Sequence, residues 1–169
     1  KEQTDPEIEK YLIIDAIDGK ILRSYTARFP GAQVTGTVRG EIYPANPTDA
    51  LSTVPLRHES VDIEFAGNAN TNHSGAYSRH VPWYWWLFPV HHAAFKLEGP
   101  YAKVQNSNGT DYVETRVCNT DNPCDMTWTA ADRDHINLFY HMNLYHDWLE
   151  TELGYSWVNL DGTNRFNVQ

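Results

Sequence analysis

No window of the 169 residues approaches the run of about 18 apolar positions that a membrane-crossing helix needs, so no span is expected. Basic residues are scarce: Lys plus Arg number 13 against 22 Asp plus Glu, a formal charge of −9. That balance lacks the cationic excess on which phosphate-backbone binding depends, and nucleic acid is not an expected partner. The glycine-rich phosphate loop, the dinucleotide fingerprint and the Gly-x-Ser-x-Gly nucleophile elbow are absent. Lys1-Glu2-Gln3-Thr4-Asp5 has no apolar stretch of signal-peptide type, so any such segment is expected to lie upstream or to have been removed. What remains is 41 % hydrophobic and 21 % charged, a composition suited to burying a core.

Cysteine is nearly missing as well. The two that occur, Cys118 and Cys124, flank Asn-Thr-Asp-Asn-Pro, a turn composition that lets the sulfurs meet across a small loop. Zinc-finger spacing and Cys-x-x-Cys are both absent, so a structural disulfide is expected, two free thiols being the alternative. A disulfide implies an oxidising compartment, and the chain is expected to be secreted. The sequons Asn72-His-Ser74 and Asn108-Gly-Thr110 agree with that and make Asn72 and Asn108 candidate N-glycosylation sites.

The pattern predicts a mainly β chain with a C-terminal α-helix: an antiparallel β-sandwich preceded by a β-hairpin. Tyr11–Asp15 and Lys20–Thr26 are β-rich runs around the turn signal Asp18-Gly19. From Gln33 to about Val117, short strands alternate with Gly, Pro and Asn clusters, and Val61-Asp-Ile-Glu-Phe65 places its apolar residues at odd positions. Ala93–Val104 reads as two strands or one bent strand, pinched at Gly99-Pro100. Ile136, Phe139, Met142, His146, Leu149 and Leu153 recur at helical steps, predicting a helix over about 130–153 that opens near Thr129–Asp132 and stops at Gly154. Residues 155–169 return to turn composition. The resulting divisions are 1–30, a hairpin segment; 31–128, the sandwich; and 129–169, the helix and a C-terminal extension.

Eight histidines invite a metal reading. His58-Glu59-Ser-Val-Asp62 approaches the zinc motif His-Glu-x-x-His but ends in Asp and lies beside a strand pattern. His91 and His92 are adjacent on a strand, so one is expected inward and the other outward. His146 and Asp147 are helical neighbours, read as structural because adjacent helical side chains do not face each other. Asp121 and Asp125 are candidate calcium ligands in a loop without the full alternating calcium spacing. Pro82–Pro89 packs three of the six tryptophans into four positions. Alternation on a strand buries half of such a run, leaving Trp83, Tyr84, Trp85, Trp86 and Phe88 as a candidate interaction surface. A contact between domains or subunits, stacking on sugar and ordinary core all remain open for it.

Tyr11-Leu-Ile-Ile-Asp-Ala-Ile-Asp-Gly-Lys-Ile-Leu22 resembles the end of the propeptide of secreted fungalysin- and thermolysin-type metallopeptidases. Val34–Gly40, Pro55-Leu56 before Val61, and Asn72–Ser78 are similar to a β-sandwich of the carboxypeptidase-regulatory type, and Leu97–Asn106 to its closing strands. Asn137-Leu-Phe-Tyr-His-Met-Asn-Leu-Tyr-His-Asp147, then Leu153-Gly-Tyr155 and Asn164–Gln169, resemble the family's early catalytic-domain helix and the segment after it. The resemblance implies zinc held by His-Glu-x-x-His and a later Glu, with the motif's Glu as general base. That motif is absent here, so no catalytic or zinc residue carries over, and zinc is expected only with a downstream catalytic half. Two expectations follow. One is a non-catalytic extracellular structural subunit that self-associates through edge strands and aromatic surface into a homo-oligomer or polymer. The other is the N-terminal portion of a zinc metallopeptidase, its partner being the remainder of that peptidase.

Overall fold

A computed structural model of the chain describes residues 8–14, 21–28, 32–81, 91–129, 133–154 and 166–168. The chain is mainly β with one C-terminal helix among the described residues. Strands β1 (Ile8–Ile14) and β2 (Ile21–Arg28) form the antiparallel hairpin expected around Asp18-Gly19, and they pair with no other described strand. The 83–88 aromatic run lies outside the described residues, as do Thr129's successors 130–132 at the expected helix start.

The sandwich is organised by β3 (Gln33–Ile42), in which Val34, Gly36, Val38, Gly40 and Ile42 all face inward with period two. β3 pairs antiparallel with β7 (Ala76–His80) through its first half and with β4 (Ser52–Pro55) through its second. β11 (Met126–Trp128) joins its other side in parallel. The second sheet runs β10 (Val113–Cys118), β8 (His91–Lys96), β5 (Ser60–Ile63) and β6 (Gly67–Asn70), all antiparallel. Val34, Val38 and Ile42 from the first sheet share one core with Val61, Ile63, Ala93 and Phe95 from the second.

Helix α1 (Arg133–Leu153) closes the core with Ile136 and Phe139, both fully buried. It can approach because β3 carries Gly40 beneath it: a Cβ there would lie 2.6 Å from Ile136 Cγ2. The helical face differs from the expected one. Asn143 is buried, its amide Nδ2 donating to the Phe139 carbonyl at 2.9 Å, while Met142 is partly buried and Leu153 is exposed. The periodic pattern thus holds through Leu149 and fails at the end of the helix, where Leu153 is exposed.

Other expectations are corrected by pairing. Phe65 does not continue the inward row of Val61 and Ile63: Ala66 N donates to Ile63 O at 2.9 Å, the chain turns, and Phe65 is exposed with φ at 62°. Residues 166–168 are a strand, β12 (Phe166–Val168), pairing in parallel with β9 (Ala102–Val104). Among the described strands two pairings are parallel, β11 on β3 and β12 on β9, and the others are antiparallel. The pinch at Gly99-Pro100 separates β8 from β9, so that run is two strands rather than one bent strand.

Candidate functional site

Cys118 and Cys124 form a disulfide, with Cα atoms 5.4 Å apart. The loop is seated on the first sheet: Cys124 N donates to Thr35 O at 2.7 Å, and Tyr77 Oη donates to Cys124 O at 2.7 Å. Asp125 is committed to that seating, its Oδ1 accepting from Thr37 N and Thr37 Oγ1 at 2.8 Å each. Asp121 and Asp125 are not brought into a metal-spaced group among the described residues. Asn72 and Asn108 both lie exposed in turns, the placement a glycan requires. Asn72 Oδ1 accepts from Ser74 N, Ser74 Oγ and Ala76 N, which holds its turn together. His91 is buried and His92 exposed, as adjacent strand positions dictate.

The densest polar constellation lies where the β4–β5 connection, the β6–β7 turn and helix α1 meet. Asp147 on α1 receives Arg57 Nη1 at 2.6 Å on Oδ2 and faces His58 Nε2 at 2.9 Å on Oδ1. His73 Nδ1 stands 3.5 Å from Oδ2, and His146 Nδ1 stands 3.4 Å from Oδ1. Three imidazoles and one guanidinium thus surround a single half-buried carboxylate. The His146–Asp147 contact departs from the expectation that helical neighbours turn apart. Tyr101 stacks on the His146 ring at 3.5 Å between centroids and meets His58 edge-on at 4.9 Å, forming the floor of the cluster.

His58 sits in the left-handed backbone region, φ 61°, uncommon for a residue other than glycine. His58 N donates to Thr71 O at 2.9 Å, and Gly99 presses against the His58 carbonyl so closely that a Cβ would fall 1.8 Å from its oxygen. The turn aims the ring at Asp147. Burial pushes the His58 pKa below its ordinary value despite the upward pull of Asp147, which favours the neutral imidazole. For Asp147, burial pulls upward, but the hydrogen bonds from Arg57 and His58 outweigh it and hold the carboxyl below its usual range.

Beside His58, Glu59 is fully buried and its Oε1 accepts from the Trp128 indole Nε1 at 2.9 Å. Burial raises its pKa well above the ordinary carboxyl value, with the Trp128 bond pulling weakly the other way. Burial thus favours its protonated form, and the Trp128 bond ties the residue just before β5 to β11. A separate open cleft of about 310 Å³, lined by Tyr43, Pro47, Asn137 and His141, lies at the first turns of α1.

No protein-family model, curated protein or solved structure matches this chain. The sequence offers His58 in an incomplete zinc motif and His146-Asp147 as helical neighbours, whereas Arg57, His73 and Tyr101 carry no signal of their own. The partners are contributed by connections and a helix up to 90 positions apart, so no local spacing announces them. The nearest signal is the pair Arg57-His58 before a strand and His146-Asp147 inside a helix.

Proposed function

We propose that the chain is a non-catalytic extracellular assembly subunit that joins further copies of itself through the β10 edge and the outer face beside it. The observation that carries this reading is an inverted strand. Cys118 of β10 opposes buried His91, so Glu114 and Arg116 share the side of the core-facing β8 residues. Val113, Thr115 and Val117 share the outer side with Lys96, Ala94 and His92. The apolar residues of β10 thus face outward, Val113 47 % and Val117 65 % exposed. Among the described strands β10 is paired along one edge only, and a strand with an open edge and an outward apolar row is a template for an added strand.

A second copy is the occupant favoured by the N-terminal hairpin. β1 and β2 pair only with each other among the described strands, and their sequence runs Tyr11-Leu-Ile-Ile14 and Ile21-Leu22 are strongly apolar. A two-stranded ribbon is marginal alone and gains stability by packing on a third strand. Each copy therefore carries a donor, the hairpin, and an acceptor, the β10 edge, and pairing of one with the other is a head-to-tail arrangement that closes into rings or extends into filaments. The disulfide and the exposed sequons support an extracellular setting for this assembly.

The test is sedimentation velocity and negative-stain microscopy of the purified chain beside the double variant Val113→Lys/Val117→Lys. Wild type is expected to sediment as oligomers or fibres and the variant as a monomer with an unchanged circular dichroism spectrum. A monomeric wild type, or a variant that assembles equally, overturns the reading. The resemblance to fungalysin-type peptidases supports a second reading, the N-terminal portion of a zinc peptidase, and the hairpin falling on the propeptide-like segment favours it. Continuation of the native product into a His-Glu-x-x-His helix, read by intact mass and peptide mapping, decides for that alternative.

A further inference from the structure

We propose that His58, His73 and Asp147 form a binding site for one divalent transition-metal ion of the zinc class. Their ligand atoms all lie within 4.8 Å of one another, contributed by three separate parts of the chain. Zinc bound tetrahedrally at about 2.0–2.1 Å sets its ligand atoms roughly 3.3 Å apart. His58 Nε2 lies 2.9 Å from Asp147 Oδ1 and His73 Nδ1 lies 3.5 Å from Asp147 Oδ2, so a shell closed through a single carboxylate oxygen needs the carboxylate or the His73 ring to turn. Two imidazoles and one carboxylate suit zinc, copper, nickel or iron, and they disfavour calcium and magnesium, which take all-oxygen shells.

Preorganisation and access both favour the site. His58 is fixed by its left-handed backbone, by the Thr71 carbonyl and by the approach of Gly99, so its ring is held before any ion arrives. His73 is 72 % exposed, which opens the cluster to solvent from one side. A second group, His146, Asp147 and Glu150, has its own ligand atoms within 4.8 Å of one another and shares Asp147 with the first. Arg57 opposes the ion, since Nη1 holds Asp147 Oδ2 at 2.6 Å and lies 3.4 Å from His73 Nδ1. In the ion-free chain it neutralises the carboxylate. On binding it must yield Oδ2 or remain as an outer hydrogen-bond donor to that oxygen, a role that orients ligating carboxylates.

The test is a titration of the full chain with Zn²⁺ by calorimetry, repeated with Co²⁺ to read the visible bands of tetrahedral coordination. The expected stoichiometry is one ion per chain. His73→Ala removes an exposed ligand without touching the core. His58→Asn removes the second while keeping a side chain that tolerates positive φ. Each is expected to weaken Zn²⁺ binding by on the order of 100-fold. His80→Ala, which removes a β7 ring bonded to the Gln33 amide of β3, is expected to bind as wild type does. A wild type with no stoichiometric Zn²⁺ uptake overturns the proposal, leaving the cluster as an Arg57–Asp147–His58 strap between α1 and the sheets. Variants at His58 and His73 that titrate like wild type, or an equal loss in His80→Ala, also overturn it. The outcome is independent of oligomeric state, so it stands apart from the assembly reading.

Discussion

Glu59 holds a carboxyl at 0 % exposure with a single indole for company, and its protonation couples the fold to pH. Burial raises its folded pKa far above the unfolded value of about 4.3. A group raised in this way contributes stability that is complete below the unfolded value and is lost as pH climbs toward the folded one. In buffer containing a chelator, the free energy of urea unfolding is expected to fall as pH rises above about 5, this group alone contributing a slope of up to about 1.4 kcal/mol per pH unit. Glu59→Gln keeps an acceptor for Trp128 and does not titrate, so subtracting its profile from that of wild type isolates the effect. A difference that stays flat from pH 5 to pH 8 would exclude a neutral Glu59. Asp147 and His58 pull the other way, since both are depressed and both lose their contribution on acidification. Removing the Asp147 carboxylate leaves Arg57 and His58 facing each other without an anion. Asp147→Ala is expected to cost about 1–3 kcal/mol in urea unfolding. At this scale the sequence was legible for chemistry and opaque for neighbours. His58 and Glu59 read as an incomplete zinc motif, whereas one turns toward a helix 89 positions away and the other into the core toward Trp128.

Elements meet here through close approaches that small residues permit. The His58 carbonyl lies against Gly99, and a methyl group there has only backbone to displace. Gly99→Ala is expected to destabilise the fold by about 1–3 kcal/mol or more and to loosen the His58 turn. Thermal unfolding measures the first effect, and amide exchange at His58 and Thr71 the second. The disulfide acts on a shorter segment. Its partners are six positions apart, so by chain entropy the closed loop contributes only about 2 kcal/mol. Replacing both cysteines by serine is expected to lower stability by that amount while leaving β3 and β7 intact, because Thr35, Thr37 and Tyr77 still grip the loop. Strands with their own alternation, β3 and β5 above all, were readable, as was the hairpin around Asp18-Gly19. β12 was not. Three residues carry no period, and their strand character comes from β9, about 64 positions earlier, through parallel pairing. Leu153 was misplaced for a related reason: periodicity reports the face of a helix, not how far its partner extends.

For the whole molecule the deciding quantity is the charge of −9 set against an apolar outer row on β10. Copies with a large net charge of one sign repel at long range, and that repulsion fades over about 10 Å at 0.1 M salt. Burial of Val113 and Val117 against a partner does not fade, because apolar surface is expelled from water at any ionic strength and more strongly in the presence of sulfate. Association through β10 is therefore expected to strengthen as NaCl rises from about 10 mM to about 150 mM, the range over which the screening length shrinks from roughly 30 Å to 8 Å. Charge-complementary docking would show the opposite trend and weaken over the same range. Sedimentation velocity across that series separates the two. The Val113→Lys/Val117→Lys variant supplies the internal control: it lowers the net charge and so relieves repulsion, yet it places cations in the proposed contact. If repulsion alone limited association, the variant would assemble better than wild type at low salt. If the outer row of β10 is the contact, it assembles worse at every salt concentration, and only that result agrees with a subunit joined through its exposed strand.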